Sequence, residues 1–374
     1  MKIPFMNLYD GFAPYKDEIF SKLQTLIEKT QFIGGDEVAS FEQEFADFCG
    51  TTYAVGCSNG TDALEVVMRA FGIGTGDKVL VPANSFIASS EAVTLTGAEV
   101  DFVDVIDGEW TINPVEVESY LKSEKGSNVK AVLAVHLYGK MARMDQLRRI
   151  CDAFDVYLIE DSAQAHGATY ENQGPGCWGD AATFSFYPGK NLGAFGDAGA
   201  IVCNDKDTYS YSKSFVNHGR EVGQKYEHQF EGANRRIDSI QAAILRIKLK
   251  YLQDATNRRI TIAERYMTAL SEVENISLPS VDENRQVYHL FVIHSNQRDQ
   301  LQKFLRDKGI ATGVHYPICL PFQPAYRENG YKVGDFPIAE KNAAQCLSLP
   351  LWPEMTSMQI DEVVEAIKSI KPFN

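Results

Sequence analysis

The chain has 374 residues, 44% of them hydrophobic, and carries 36 Lys and Arg against 50 Asp and Glu for a formal net charge of -14. Its length and apolar content exclude both a disordered chain and a single small core, and predict one large domain with a smaller partner. The negative balance argues against nucleic acid as a ligand, because polyanion binders neutralise phosphates with clustered cations. It leaves room for a phosphorylated small molecule, which a few backbone amides can hold.

The opening residues, Met1-Lys2-Ile3-Pro4-Phe5-Met6, lack the apolar stretch of a signal peptide. No run approaches the roughly 18 apolar residues of a membrane span, so a cytoplasmic protein with no membrane partner is expected. Short apolar, β-branched segments at 54–57, 78–81, 99–103, 130–135, 156–160, 181–186 and 200–203 alternate with helical patterns. That alternation predicts an α/β unit with a mostly parallel sheet. Ligands of such sheets bind beyond the carboxyl ends of the strands, which is where Ser58, Phe86, Asp161 and Lys190 fall.

Ile240, Ile244, Ile247 and Tyr251 then recur at helical spacing, predicting one long helix that runs on past Arg265 as a spine between two domains. Strands are expected at 287–293 and 310–315, with a helix between them that turns Leu301, Phe304 and Leu305 inward and stops at Gly309. Thr356-Ser357-Met358-Gln359 is a capping box for a last helix with Val363, Val364, Ile367 and Ile370 inward. The expected division is 1–253 for the large unit and 254–374 for a small α+β unit. Seven cysteines without a CxxC pair read as buried thiols in a reducing compartment, and no metal site is expected.

The chemistry starts from Lys190 in Ser185-Phe186-Tyr187-Pro188-Gly189-Lys190-Asn191-Leu192-Gly193, a glycine-rich turn read as exposed. Asp161 ends an apolar strand, where a buried carboxylate must have a partner. A lysine amine held in a tight turn and a carboxylate at the end of a neighbouring strand match the needs of pyridoxal phosphate (PLP): an amine to condense with its aldehyde and an anion to keep its ring nitrogen protonated. Taken alone, Asp161 could equally cap a helix. Gln164 could bond the ring oxygen, while His166 has a structural role as its safer reading. Ser58-Asn59-Gly60-Thr61-Asp62 between strand and helix offers free amides for a phosphate, Ser185 adds a hydroxyl, and Phe86 could lie over an aromatic ring.

The motifs SNGTDAL, PANSFIAS, VHLYG, EDSAQAHGA, SFYPGKNLGAFGDAGA, NHGR, GANRRID, VYHLFVI, GVHYPICLPFQPAY and LSLPL follow one another from residue 58 to 351. In that order they resemble the DegT/DnrJ/EryC1/StrS family of PLP-dependent nucleotide-sugar aminotransferases. The resemblance implies the type I aminotransferase fold, PLP with pyridoxamine phosphate as intermediate, and a homodimer with shared active sites. By the same resemblance Lys190 matches the Schiff-base lysine, Asp161 the ring-nitrogen partner and Gln164 the residue beside the ring hydroxyl. Gly60, Thr61, Ser185 and, from the neighbouring subunit, Asn234 match phosphate contacts. Phe86 matches the aromatic residue over the ring, and Tyr187 and His315 match sugar contacts. Gly60-Thr61-Asp62-Ala63-Leu64 and Tyr187 are similar to the members that aminate C3. A dTDP-linked 3-keto-6-deoxyhexose with L-glutamate as donor is therefore the expected pair, serving surface polysaccharide (O-antigen) or glycoside synthesis. Amination at C4, a sugar dehydratase and a non-catalytic regulator stay open as alternatives. Lys190 counts against the dehydratase, and the presence of Lys190, Asp161 and Gln164 together counts against the regulator.

Overall fold

The computed structural model describes residues 1–221 and 223–370. All seven predicted strands form, each within one residue of its expected ends: β1 (Tyr53–Cys57), β2 (Lys78–Pro82), β3 (Glu99–Val103), β4 (Val129–Val135), β5 (Tyr157–Asp161), β6 (Ala181–Ser185) and β7 (Gly199–Cys203). They make one sheet in the order β1-β7-β6-β5-β4-β2-β3. β2 to β6 are parallel along that order, and β7 runs antiparallel to both β6 and β1. The carboxyl ends of β1, β5 and β6 therefore share one edge with the start of β7, where Gly199 pairs with both Cys57 and Ser185.

Strand periodicity sends alternate residues to opposite faces. Val79 and Val81 enter one core, together with Leu64, Val67 and Met68 of the helix Gly60–Ala70. Leu80 enters the other core, with Leu147 and Cys151 of the helix Met144–Phe154. Burial of each such side chain stabilises the fold by roughly 1.5–3 kcal/mol. A third cluster joins Phe41 and Phe45 of the helix Asp36–Cys49 to Phe184 and Phe186, anchoring the chain just before the lysine turn.

The expected spine is two helices, Ser239–Leu249 and Leu252–Leu270. They are separated where the Tyr251 N–H bonds Lys248 O instead of continuing the α ladder. Ile244 and Ile247 of the first pack on Ile19, and the second contributes Ile262, Tyr266 and Leu270 to a separate apolar core. That core surrounds a two-stranded antiparallel sheet of β8 (Phe291–His294) and β9 (Cys346–Leu349).

The two strands expected here are corrected. Pairing begins only at Phe291, because Tyr288 takes a left-handed φ of 44° and the N–H groups of Val287 and Leu290 go to the turn at Tyr138 and Gly139. Residues 310–315 make only isolated bridges, Ile310 to Ile3 and Gly313 to Ser348, and β9 supplies the second strand instead. The helix Arg298–Asp307 ends before Gly309 at φ 81°, and the Thr356–Gln359 capping box opens Ser357–Lys368 as expected. Ile3 is fully buried in this second core. Its N–H donates to Gly309 O at 3.0 Å and its carbonyl accepts from Ala311 N–H at 2.9 Å.

All seven cysteines are free, and all but the half-buried Cys177 are buried. Among the described residues no helix is long and apolar enough to cross a membrane, and no cluster of His, Cys, Asp and Glu is placed to hold a metal ion.

Candidate active site

A cavity of about 830 Å³ opens at the carboxyl edge of the sheet. Of the residues read from the sequence, Gly60, Thr61, Phe86, Asp161, Gln164, Ser185, Tyr187, Lys190 and His315 all line it. Ser58 does not: its hydroxyl donates to the carboxylate of Asp62, which lines the cavity in its place. Asn234 is exposed and lies outside this cavity in its own chain.

The floor is set by close backbone packing. A Cβ on Gly60 would meet Ser185 Cβ at 2.8 Å, so only glycine lets the start of the helix Gly60–Ala70 approach β6. Asn59 caps that helix, its side-chain oxygen accepting from Asp62 N–H at 2.8 Å. The first two amides of the helix, at Gly60 and Thr61, have no intrahelical acceptor and lie at the cavity wall. Behind them Arg235 is engaged by Asp62 and by Glu65, the latter at 2.6 Å.

Lys190 sits on the turn closed by its N–H to Tyr187 O at 2.8 Å. The turn doubles back so tightly that a Cβ on Gly193 would lie 2.3 Å from Pro188 O. The exposed lysine expected from the sequence is corrected: the residue is half-buried. Burial is the larger influence and lowers its amine to about 8, while the negative charge of Asp161 opposes the shift. A neutral amine is thus within reach near neutral pH.

Asp161 is buried at the end of β5 and no helix follows, so it is not a helix cap. Its Oδ1 accepts from Ala163 N–H at 3.1 Å and its Oδ2 from Ser89 Oγ at 2.7 Å. Gln164 is fixed by Tyr138 N–H, which donates to its Oε1 at 2.7 Å, and its Nε2 donates to Tyr316 Oη at 3.2 Å. His166 is buried against Phe184 and Phe186, with ring centroids 5.3 and 5.6 Å away. Burial first, then the Lys190 charge, lowers it to about 3, leaving a neutral core histidine as its safer reading had it.

The rim is aromatic. Phe86 is 53% and Tyr187 59% exposed, so both rings have area free for a ligand. His315 stacks on Phe5 at 5.6 Å and its Nδ1 lies 2.8 Å from Ser348 Oγ. Burial and then Lys190 lower it to about 4, so it faces the cavity as a neutral imidazole.

Sequence reasoning missed Tyr316, His289 and Ser89. Tyr316 adjoins the flagged His315 and could have been found by that adjacency. His289 lines the cavity, with its Nδ1 3.2 Å from Asn191 Oδ1, directly after the lysine. Phe5 arrives from far upstream and has no local signal.

The residues present fit PLP. A cradle that a Cβ would fill lies at Gly60, an amine of lowered basicity and a buried carboxylate share one cavity, and Phe86 has an exposed ring face for a planar group. The profile of the DegT/DnrJ/EryC1/StrS aminotransferase family matches residues 14–368. The chain is 38% identical over 368 residues to a dTDP-3-amino-3,4,6-trideoxy-alpha-D-glucose transaminase of Streptomyces venezuelae, covering 98% of this chain and 96% of that protein. It is 41% identical over 368 residues to a dTDP-3-amino-3,6-dideoxy-alpha-D-galactopyranose transaminase of Aneurinibacillus thermoaerophilus, covering 98% of each. Among solved structures, NtdA from Bacillus subtilis with bound cofactor PMP matches with a TM-score of 0.92 at 32% identity, over 98% of this chain and 84% of that one. The fold is that of the type I aminotransferases, and the cofactor is PLP, interchanging with its pyridoxamine form. The family expected from the motif order is thereby established: the chain belongs to the DegT/DnrJ/EryC1/StrS aminotransferases, PLP-dependent sugar aminotransferases.

Proposed function

We propose that the protein transfers the amino group of L-glutamate to C3 of a dTDP-linked 3-keto-6-deoxyhexose. The product is a 3-amino-3,6-dideoxy sugar nucleotide, a precursor for surface polysaccharide or glycoside. The observation that carries the reading is the convergence of Lys190, Asp161 and the Gly60–Thr61 amides on one cavity whose rim holds Tyr187 and His315.

When bound, PLP supplies an electron sink through which an amino group passes from donor to acceptor. Lys190 Nζ, as a neutral amine, takes the proton from the donor's α-carbon and returns it on the other side of the reaction. Asp161 holds a positive charge on the ring nitrogen. Gly60, Thr61 and Ser185 hold the phosphate, Phe86 covers the ring and Gln164 bonds its hydroxyl. Tyr187 and His315 orient the sugar so that the 3-keto carbon is the one presented. Asn234 reaches the phosphate of the partner's site in a homodimer. The division into units of 1–253 and 254–374 belongs to the same proposal; it falls two residues into the helix Leu252–Leu270, within its first turn.

The test offers a 3-keto-6-deoxyhexose and its 4-keto isomer, each on dTDP, with glutamate as donor. The 3-keto sugar is expected to react with a kcat/KM higher by about 100-fold, a gap of about 3 kcal/mol, and NMR of the product locates the nitrogen. Amine found mainly at C4 overturns the proposed position while leaving the family assignment intact.

A further inference from the structure

Ser89 and Ser90 are neighbours in the helix Ala88–Leu95, yet their hydroxyls behave differently. Ser90 Oγ donates to Ile87 O at 3.0 Å, the usual local bond of a helical serine. Ser89 Oγ instead leaves its helix and donates to Asp161 Oδ2 at 2.7 Å, on a different strand. Ser85 Oγ lies 2.7 Å from Ser89 Oγ. An ionised carboxylate can only accept, so the Ser89 proton is committed to Asp161 and Ser85 is the donor to Ser89. The three groups form a one-way chain, Ser85 to Ser89 to Asp161, buried throughout.

We infer that Ser89, backed by Ser85, is a positioning residue for the cofactor's ring. With Ala163 N–H on Oδ1 and Ser89 on Oδ2, the Asp161 carboxylate is held in one rotamer, its free lone pairs directed by two fixed donors. Each bond in such a chain polarises the next, and in a buried setting the bond to the charged end is the strong one. Ser85 immediately precedes Phe86, so the chain also ties the segment that carries the ring-covering side chain to the residue that meets the ring's nitrogen. The inference rests on the proposed role of Asp161.

The test compares wild type with Ser89→Ala, Ser89→Thr, Ser85→Ala and Asp161→Asn. Pyridoxamine phosphate, which forms no bond to Lys190, is titrated against each stripped protein, and kcat and KM are measured for each loaded enzyme. Ser89→Ala is expected to raise the dissociation constant about tenfold and to lower kcat by a similar factor with the sugar KM unchanged, the scale of one hydrogen bond to a charged group. Ser89→Thr, which keeps the hydroxyl, restores both, and Ser85→Ala moves them in the same direction by less. A thermal midpoint near that of wild type in Ser89→Thr shows that the site accepts the change. If Asp161→Asn weakens cofactor binding and Ser89→Ala does not, the inference is overturned and the reading of Asp161 stands. If Asp161→Asn also binds like wild type, the reading of Asp161 itself fails.

Discussion

Gly60 and Ser185 touch across the floor of the cavity so closely that a Cβ on the glycine would sit 2.8 Å from the serine Cβ. The contact brings the amides that open the helix Gly60–Ala70 up to the strand that leads into the lysine turn, so the proposed phosphate site and the proposed reactive amine are joined through it. Gly60→Ala is therefore expected to cost about 1–3 kcal/mol by overpacking and to weaken cofactor binding by at least about tenfold as the amides are pushed off their positions. Thermal denaturation and a cofactor titration measure the two effects separately.

Lys190→Ala is expected to abolish transamination while leaving circular dichroism and thermal midpoint close to wild type. Lys190 lines the cavity, and among the described residues its amine makes no hydrogen bond or ion pair that ties elements together. Retained turnover in this variant would overturn the assigned role.

The lowered basicity of that lysine sets a pH dependence. Its amine titrates at about 8, below its ordinary value of 10.5. Below that point the ammonium form dominates and cannot attack an aldehyde, whereas above it the neutral amine is the main species. Uptake of PLP by the stripped enzyme, followed at the visible absorption band, is expected to quicken with rising pH as the ammonium gives up its proton, and to level off above about 8, where the amine is already neutral. Asp161→Asn removes the charge that opposes the burial effect, so its midpoint is expected to fall below that of wild type.

Asp161→Asn keeps the shape but removes the charge that would hold a proton on the ring nitrogen. Loss of at least about 100-fold in kcat is expected, the scale of a preorganised electrostatic interaction worth several kcal/mol. A change confined to KM would contradict the role.

Asn234 is exposed and does not line its own chain's cavity; its proposed place is in the partner's site. Mixing inactive Lys190→Ala with an inactive Asn234→Ala variant is expected to restore part of the activity, because a hybrid dimer has one site with both residues intact. No recovery after verified subunit exchange would assign Asn234 to its own chain or to no site at all.

The large sheet was legible because each strand is a short apolar run bounded by turn residues, and buried parallel strands have little else to specify them. The second unit was read less well. The 287–293 run is apolar enough for a strand, but the left-handed Tyr288 and the pull of the Tyr138–Gly139 turn redirect its first half, and neither is a local property of the run. Residues 310–315 meet the requirement for a strand but find Ile3 on one side and Ser348 on the other at single positions only. At the site, side chains next to a glycine-rich turn or a strand end stood out. Ser89 and His289 did not, because what marks them is the direction in which a tertiary contact turns an ordinary side chain.

Ile3 completes a core whose other buried members come from residues 262 to 367. On the ribosome that place does not exist when residue 3 emerges, and the Gly309 and Ala311 groups it bonds are made about three hundred residues later. At a synthesis rate of about 5–20 residues per second this is an interval of tens of seconds. During that interval the large sheet can assemble while the segment that will carry Phe5 and Met6 to the cavity wall waits undocked. The finished pocket is thus a late product of synthesis: the sheet supplies its floor early, and its outer wall closes only after the last core is in place.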